Sequence, residues 1–289
     1  MKLACKVCGS TEIRSYCRKE EAHYYSCRGC GLLFQHPSPD AESMRRYADT
    51  EYDAGLYRQY VEAREMKLAH FRHRMQVMSP WIRQGRLLDV GCSCGYFLEV
   101  AAEAGYETRG LEFSSSAIAA ASPKIRPRIR QASLDELSEE EGAAYEVITA
   151  FDIIEHLDRP QDFLAQAFRL LRPGGTLAVT TPDADHWLRT LMASRWPMLQ
   201  PMQHLTLFSH RAIRRAMEDA GLQVVVLEKS PKILSCRYLI DQIRVLNPVA
   251  HRILSALSGV IPATVMDRQR QLNIGEVLAV AVKHPSGSR

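Results

Sequence analysis

No run of about 18 apolar residues occurs in this 289-residue chain, so no transmembrane helix is expected. A signal-peptide core is also missing, because Met1-Lys2-Leu3-Ala4 leads straight into Cys5. The cytoplasm is therefore the expected compartment. Charge of one sign is scarce: Lys plus Arg is 37 against 33 for Asp plus Glu, a net charge of +4. Such a balance permits an anionic partner without requiring nucleic acid. No internal repeat or low-complexity tract is present, and the apolar fraction of 46 % is that of a globular chain. Eight cysteines in a cytoplasmic chain are not expected to form a disulfide framework, so their positions matter more than their number.

The length allows one large domain with a small appendage. Residues 1–36 are rich in Cys, Gly and polar side chains and read as a small module of their own. Residues 37–79 read as a connector, Pro-rich at Pro37 and Pro39 and helical over 41–79. From residue 80 to 289 the pattern becomes alternating strand and helix. Strands are expected at Leu87–Val90, Thr108–Glu112, Tyr145–Ala150, Thr176–Thr181, Leu222–Leu227 and Val277–Val282. Helices are expected over 95–104, 160–171 and 210–220, the second ended by Pro173-Gly174-Gly175. This alternation predicts an α/β fold with a mostly parallel sheet covered on both faces. Ligands of such sheets sit at the C-terminal ends of the strands.

The segment Asp89-Val90-Gly91-Cys92-Ser93-Cys94-Gly95-Tyr96-Phe97 runs from a strand through a tight turn into a helix. Glycine lets backbone approach a ligand, and the helix start presents free N–H groups. A dinucleotide loop needs G-x-G-x-x-G. Here Ser93 and Tyr96 occupy the second and third glycine positions, and the bulk of Tyr96 argues against a pyrophosphate. Cys92 and Cys94 read as small loop fillers, not metal ligands. Glu112 ends the next strand 17 positions after Gly95, where a carboxylate can accept from both hydroxyls of a ribose. The bland alternative is a tight turn and a surface charge.

The loop resembles the first motif of class I S-adenosylmethionine-dependent methyltransferases, D-x-G-x-G-x-G, departing from it at Ser93. Other segments extend the resemblance: Tyr145–Leu157, which contains Phe151-Asp152-Ile153-Ile154-Glu155-His156-Leu157; Leu171-Arg172-Pro173-Gly174-Gly175; and Pro201-Met202-Gln203-His204-Leu205-Thr206-Leu207-Phe208-Ser209. The last is similar to the branch holding ubiquinone-pathway-like and sugar-modifying enzymes. The resemblance covers roughly residues 80–230. It implies a Rossmann-like seven-stranded sheet and S-adenosyl-L-methionine as cofactor. It implies a cofactor site made by Asp89, Gly91, Cys92, Ser93, Gly95, Tyr96, Phe97, Glu112, Phe113 and Phe151, with the adenine beside Ser133 and Leu134. It further implies that Asp152, Glu155 and His156 face the mouth of the site and that His204 lies in a loop over the acceptor. His204 is the favoured general base, with His156 and Glu155 as further catalytic candidates. The alternative for each histidine is a loop-ordering role.

Cys5-x-x-Cys8-Gly9 and Cys27-x-x-Cys30-Gly31 are two knuckles separated by 18 residues. Four thiolates at this spacing predict a closed, structural zinc ribbon. Cys17 between them reads as a bystander. Residues 232–262 carry a helical insertion broken at Asn247-Pro248, read as packing on the core or on a second subunit, with peripheral membrane contact as the sharper alternative. The expected activity is methyl transfer to a small-molecule acceptor, a sugar or glycolipid favoured. An RNA methyltransferase docking RNA through the ribbon is the less favoured reading, since no N-P-P-Y motif occurs. A non-catalytic zinc-binding protein of this fold is the third. The sequence leaves the oligomeric state open.

Overall fold

A computed structural model describes residues 3–40, 42–44, 60–246, 248–259 and 261–284. Strands are numbered β1 (Ile13–Lys19), β2 (Ala22–Cys27), β3 (Leu33–Gln35), β4 (Arg86–Val90), β5 (Glu107–Glu112), β6 (Ile129–Gln131), β7 (Tyr145–Phe151), β8 (Leu171–Pro182), β9 (Thr206–Leu207), β10 (Leu222–Lys229), β11 (Lys232–Leu234), β12 (Arg270–Leu272) and β13 (Glu276–Lys283). Seven of these form one sheet in the order β10-β13-β8-β7-β4-β5-β6. Its neighbours pair in parallel except at β13, which runs antiparallel to both β8 and β10.

The sheet is sandwiched because its central strands are apolar on both faces. Leu88, Ile148, Leu177 and Ala279 point to one side, where they meet Leu164, Ala167, Ile213 and Met217. Those partners come from the helices Pro160–Leu170 and His210–Asp219. Leu87, Val147, Ala178 and Leu278 point to the other side and meet Phe71, Met75, Phe97 and Val100, from the helices Arg64–Met78 and Tyr96–Glu103. The period-two alternation of a strand sends neighbouring residues to opposite layers.

The expected strands and core helices form where the pattern places them. Within the helix expected over 41–79, residues 42–44 and 60–78 are helical apart from a turn at Ala63, while residues 41 and 45–59 lie outside the described residues. Pro173-Gly174-Gly175 does not end the helix before it. That helix stops at Leu170, and β8 begins at once. The register then shifts between the pairs Tyr145↔Leu171 and Val147↔Thr176, so the Pro-Gly-Gly segment forms a bulge inside the strand. The 232–262 region opens with β11, paired to β12, before its two helices Cys236–Leu246 and Pro248–Ser258. The break falls at 247, which lies outside the described residues.

The N-terminal segment contains strands that its Cys-rich composition hides. β1, β2 and β3 form an antiparallel meander, and β9, distant in sequence, completes the sheet through Leu33↔Leu207 and Phe34↔Thr206. Val7, Leu32 and Phe34 share a core with Leu164, Phe208 and Ile213. Ser209 donates to the carbonyl of Cys30 at 2.8 Å while its oxygen caps the following helix. Lys6 pairs with Asp158 at 2.6 Å.

Candidate active site

The loop after β4 is bent by three residues in the left-handed region: Gly91 at φ 72°, Ser93 at φ 52° and Gly95 at φ 79°. Two of them are glycines for a second reason. A Cβ on Gly91 would lie 2.1 Å from Ile153, and one on Gly95 would lie 2.4 Å from Ile125. Ser93 adopts a conformation that costs an L-residue energy, at the position where the resembled motif has glycine.

Glu112, at the end of β5, is buried. One carboxylate oxygen accepts from the N–H of Ser93 at 2.8 Å; the other accepts from Phe113 at 2.7 Å and Ser114 at 2.8 Å. The carboxylate thus ties the two loops together. A carboxylate offers about four acceptor positions, so a diol taking two would displace one N–H. Phe113 beside it is 54 % exposed at the loop edge.

Asp89 ends β4 in full burial, accepting from the Thr149 hydroxyl at 2.7 Å. Burial pushes its carboxyl up to about 7, and the nearby Glu112 adds to the shift. Cys92 and Cys94 are buried, and the Cys92 sulfur fills the space beside Gly110. The Tyr96 hydroxyl donates to the carbonyl of Val61 at 2.9 Å, and its ring stacks on Tyr60. Phe97 lies in the core, edge-on to Phe151 at 4.9 Å. These residues would meet a ligand here through backbone or through their neighbours. Ser133 caps the helix Leu134–Glu140, and Leu134 is buried.

β7 ends at Phe151, and the chain turns at Asp152, φ 57°, a conformation aspartate tolerates better than most residues. A single 3-10 turn follows, Ile154–His156. Glu155 is 1 % exposed, so it points into the protein and not at the mouth. His156 donates from Nδ1 to the carbonyl of Gln203 at 3.0 Å, and buried His204 does the same to Met198 at 2.8 Å. The rings meet edge-to-face at 5.1 Å. Burial lowers both histidines, His204 to about 3 with help from its neighbour, so both imidazoles are neutral. Burial also drives the Glu155 carboxyl well above its ordinary range, reinforced by Asp152.

A family model described as "Methyltransferase domain" matches residues 60–227, more than half of the chain. The chain belongs to the methyltransferase-domain family. A probable S-adenosylmethionine-dependent methyltransferase of Mycolicibacterium smegmatis is 30 % identical over 139 residues, covering 48 % of this chain and 52 % of that protein. A ubiquinone biosynthesis O-methyltransferase of Methylococcus capsulatus is 30 % identical over 101 residues, covering 33 % of this chain and 43 % of that one. The chain spans about half the length of these relatives. The structure of a SAM-dependent methyltransferase from Archaeoglobus fulgidus superposes with a TM-score of 0.53 at 16 % identity, covering 78 % of this chain and 99 % of that one, which bears on the fold.

The cofactor of this methyltransferase family is S-adenosylmethionine, and the domain's residues fit it. The glycine cradle, the loop N–H groups, the Glu112 carboxylate and the half-exposed Phe113 ring stand together at the C-terminal ends of β4 and β5. The domain also holds a charged network that local sequence patterns do not announce. Arg74 pairs with Glu276; Lys232 bridges Glu276 at 2.5 Å and Asp152 at 3.2 Å. Arg74 also lies over the Phe151 ring at 4.6 Å. Burial works against charge on Asp152, but Lys232 and Arg74 outweigh it and hold the carboxyl far below the ordinary range. Lys67 sits over the rings of Tyr60 and Tyr238, and burial lowers its ammonium to about 8. One signal was available: His70 and Arg74 share the helical stripe of Phe71, Met75 and Met78, all of them buried.

The four knuckle sulfurs converge. Cys5 and Cys30 are 3.5 Å apart, Cys8 and Cys27 3.6 Å. A tetrahedral zinc with bonds of about 2.3 Å places its sulfurs about 3.8 Å apart, so the set fits the ion. Gly9 at φ 68° and Gly31 at φ 81° make the two turns, and each returns its N–H to the first cysteine of its own knuckle.

Proposed function

We propose that the protein transfers a methyl group from S-adenosylmethionine to an oxygen or nitrogen of a small-molecule acceptor, a sugar or related hydroxylated metabolite being favoured. The observation that carries this reading is the convergence of two neutral imidazoles and a buried carboxyl directly after β7, beside the cofactor loops. The name of the Methylococcus capsulatus relative, an O-methyltransferase, agrees with an oxygen acceptor.

When bound, S-adenosylmethionine supplies an electrophilic methyl on its sulfonium. In this reading Glu112 holds the ribose hydroxyls, Phe113 covers the adenine and Ser133 and Leu134 border it. The backbone of Gly91, Cys92, Ser93 and Gly95 approaches the remainder, with Asp89, Tyr96, Phe97 and Phe151 bracing the walls. An acceptor hydroxyl is a poor nucleophile until its proton leaves; the neutral His204 imidazole offers a lone pair to that proton, as a weak base while burial holds it at about 3. His204, held by the Met198 carbonyl, is the proposed base, and His156 stands next to it. Zinc in the Cys5, Cys8, Cys27 and Cys30 site holds the N-terminal module, residues 1–36, which carries the loop of His204 through β3 and β9. The 37–79 connector and the 80–289 domain build the rest.

The test is mass spectrometry of co-purified ligand followed by a methyl-transfer screen against nucleotide sugars, phenols and total RNA. Transfer to a small molecule is expected, and His204→Ala should lower its turnover by about 10²–10⁴-fold with little change in cofactor affinity. Transfer to RNA alone would overturn the acceptor class. Full activity of His204→Ala with loss in His156→Ala would exchange the two roles.

A further inference from the structure

A groove of about 400 Å³ lies where the N-terminal module meets the methyltransferase domain. That size falls within the about 300–1,000 Å³ of small-molecule sites. Four arginines from four separate segments line it. Arg14 comes from β1, Arg28 from the second knuckle, Arg189 from the helix Trp187–Met192 and Arg211 from the helix His210–Asp219. Among the described residues, none of the four has a carboxylate within ion-pair distance. The acids on the helix of Arg211 are already taken: Glu218 by Arg214 and Asp219 by Arg215. Asp185 is the one carboxylate lining the groove, and one of its oxygens accepts from the backbone N–H of His210 at 2.8 Å. Two of the guanidiniums are held in place. Arg211 donates from Nη2 to the Arg28 carbonyl at 3.1 Å, and Arg189 lies over the Tyr16 ring at 5.5 Å. The Arg189 Nε–H is buried and has no acceptor among the described residues.

We propose that these four arginines form a binding site for a compact phosphate-bearing ligand, one that presents the charge of a diphosphate.

A lone exposed arginine needs no ligand, because water solvates its guanidinium. Four gathered around one concavity are a different case. Their like charges add in a groove with low-dielectric walls, which focuses the field on an anion. The planar fork of a guanidinium matches phosphate oxygens through paired N–H donors. Fixing Arg189 and Arg211 beforehand lowers the ordering cost of binding. Four cations against one carboxylate call for several negative charges in a small volume, which linked phosphates supply. An extended polyanion fits less well. It needs a stripe of cations along its backbone, whereas Glu12, Glu20 and Glu21 of the same module are exposed and interrupt its surface with negative charge. The groove shares no residue with the cofactor loops or with His156 and His204.

The test is calorimetric titration of the full chain with pyrophosphate in a low-salt buffer. Wild type is expected to bind one pyrophosphate, more tightly than sulfate, and to melt at a higher temperature in its presence. Arg189→Gln and Arg211→Gln should each weaken that binding about 10–100-fold. Arg169→Gln removes an exposed arginine outside the groove and should bind as wild type does. Melting each variant without ligand separates a lost contact from a lost fold, and Arg28→Gln, at an exposed position, gives the same reading if Arg189 is needed for folding. No binding by wild type, or equal affinity in wild type and the groove variants, overturns the site. A single-stranded RNA oligonucleotide that binds through the same arginines and displaces pyrophosphate at far lower concentration would also overturn it, by assigning the groove to a polymer. None of these readings involves methyl transfer, so failure here leaves the proposed activity standing.

Discussion

Replacing Ser93 by glycine should make the protein more stable. Ser93 sits at φ 52° in the turn that joins β4 to the following helix. An L-residue pays about 1–2 kcal/mol in that region. Glycine pays none of it but loses about 0.5–1 kcal/mol of backbone entropy on folding. The balance favours Ser93→Gly by about 0.5–1 kcal/mol. In a chain of this size, 1 kcal/mol moves the melting temperature by about 2–4 °C. The link from Ser93 N–H to Glu112, 2.8 Å, uses backbone and survives the change. Cofactor affinity should therefore hold or improve. Ser93→Ala is the control, since it keeps the Cβ and the strain and should gain nothing. Differential scanning calorimetry of the three proteins decides the matter. A glycine variant that melts at or below wild type would refute the reasoning, because it would mean that the hydroxyl contributes more than the backbone costs.

Glu112→Ala should weaken S-adenosylmethionine binding by about 2–4 kcal/mol in calorimetric titration, while circular dichroism reports an intact fold; unchanged affinity would remove Glu112 from the site. If the four knuckle sulfurs hold zinc as proposed, elemental analysis of the purified protein should find zinc in wild type and its loss in Cys27→Ser, and absence of zinc from wild type or its retention in the variant would refute the four-sulfur assignment. The Asp89 carboxyl titrates at about 7 in the folded protein because burial disfavours its charge, against about 3.9 when unfolded. The folded chain thus keeps a proton that the unfolded chain has lost, and stability falls as the pH rises from about 4 to 7. Asp89→Asn should flatten that slope, a difference on the order of 2–4 kcal/mol across the window, read by urea denaturation at several pH values. A slope unchanged from wild type would show that Asp89 is not the titrating group.

The sheet and its covering helices were legible because they rest on period and punctuation. Runs such as Val147-Ile148-Thr149 and caps such as Ser209 carry their structure locally. The bulge at Pro173-Gly174-Gly175 was not, since the same residues end helices elsewhere and only pairing with β7 converts them into strand. The β1–β3 meander is not legible in the sequence because its partner, β9, lies in a distant part of the chain. Among site residues, Gly91, Gly95 and Glu112 follow from motif spacing. The inward turn of Glu155 and the Arg74–Glu276–Lys232–Asp152 network do not, for they depend on elements far apart in sequence meeting at one sheet end.

The pairing of β3 with β9 makes the first 36 residues a poor unit of exchange. Modules shuffle between genes where few contacts cross the seam. Here the composition changes near Pro37, yet the mechanical seam does not lie there. Cutting at that point would strip the partner from Leu207 and uncover Phe208 and Ile213, an open apolar edge of the kind that recruits other chains. A lineage that lost the cysteines would thus have to rebuild the support under His204 as well, and the knuckles and the histidine loop should be inherited or discarded together.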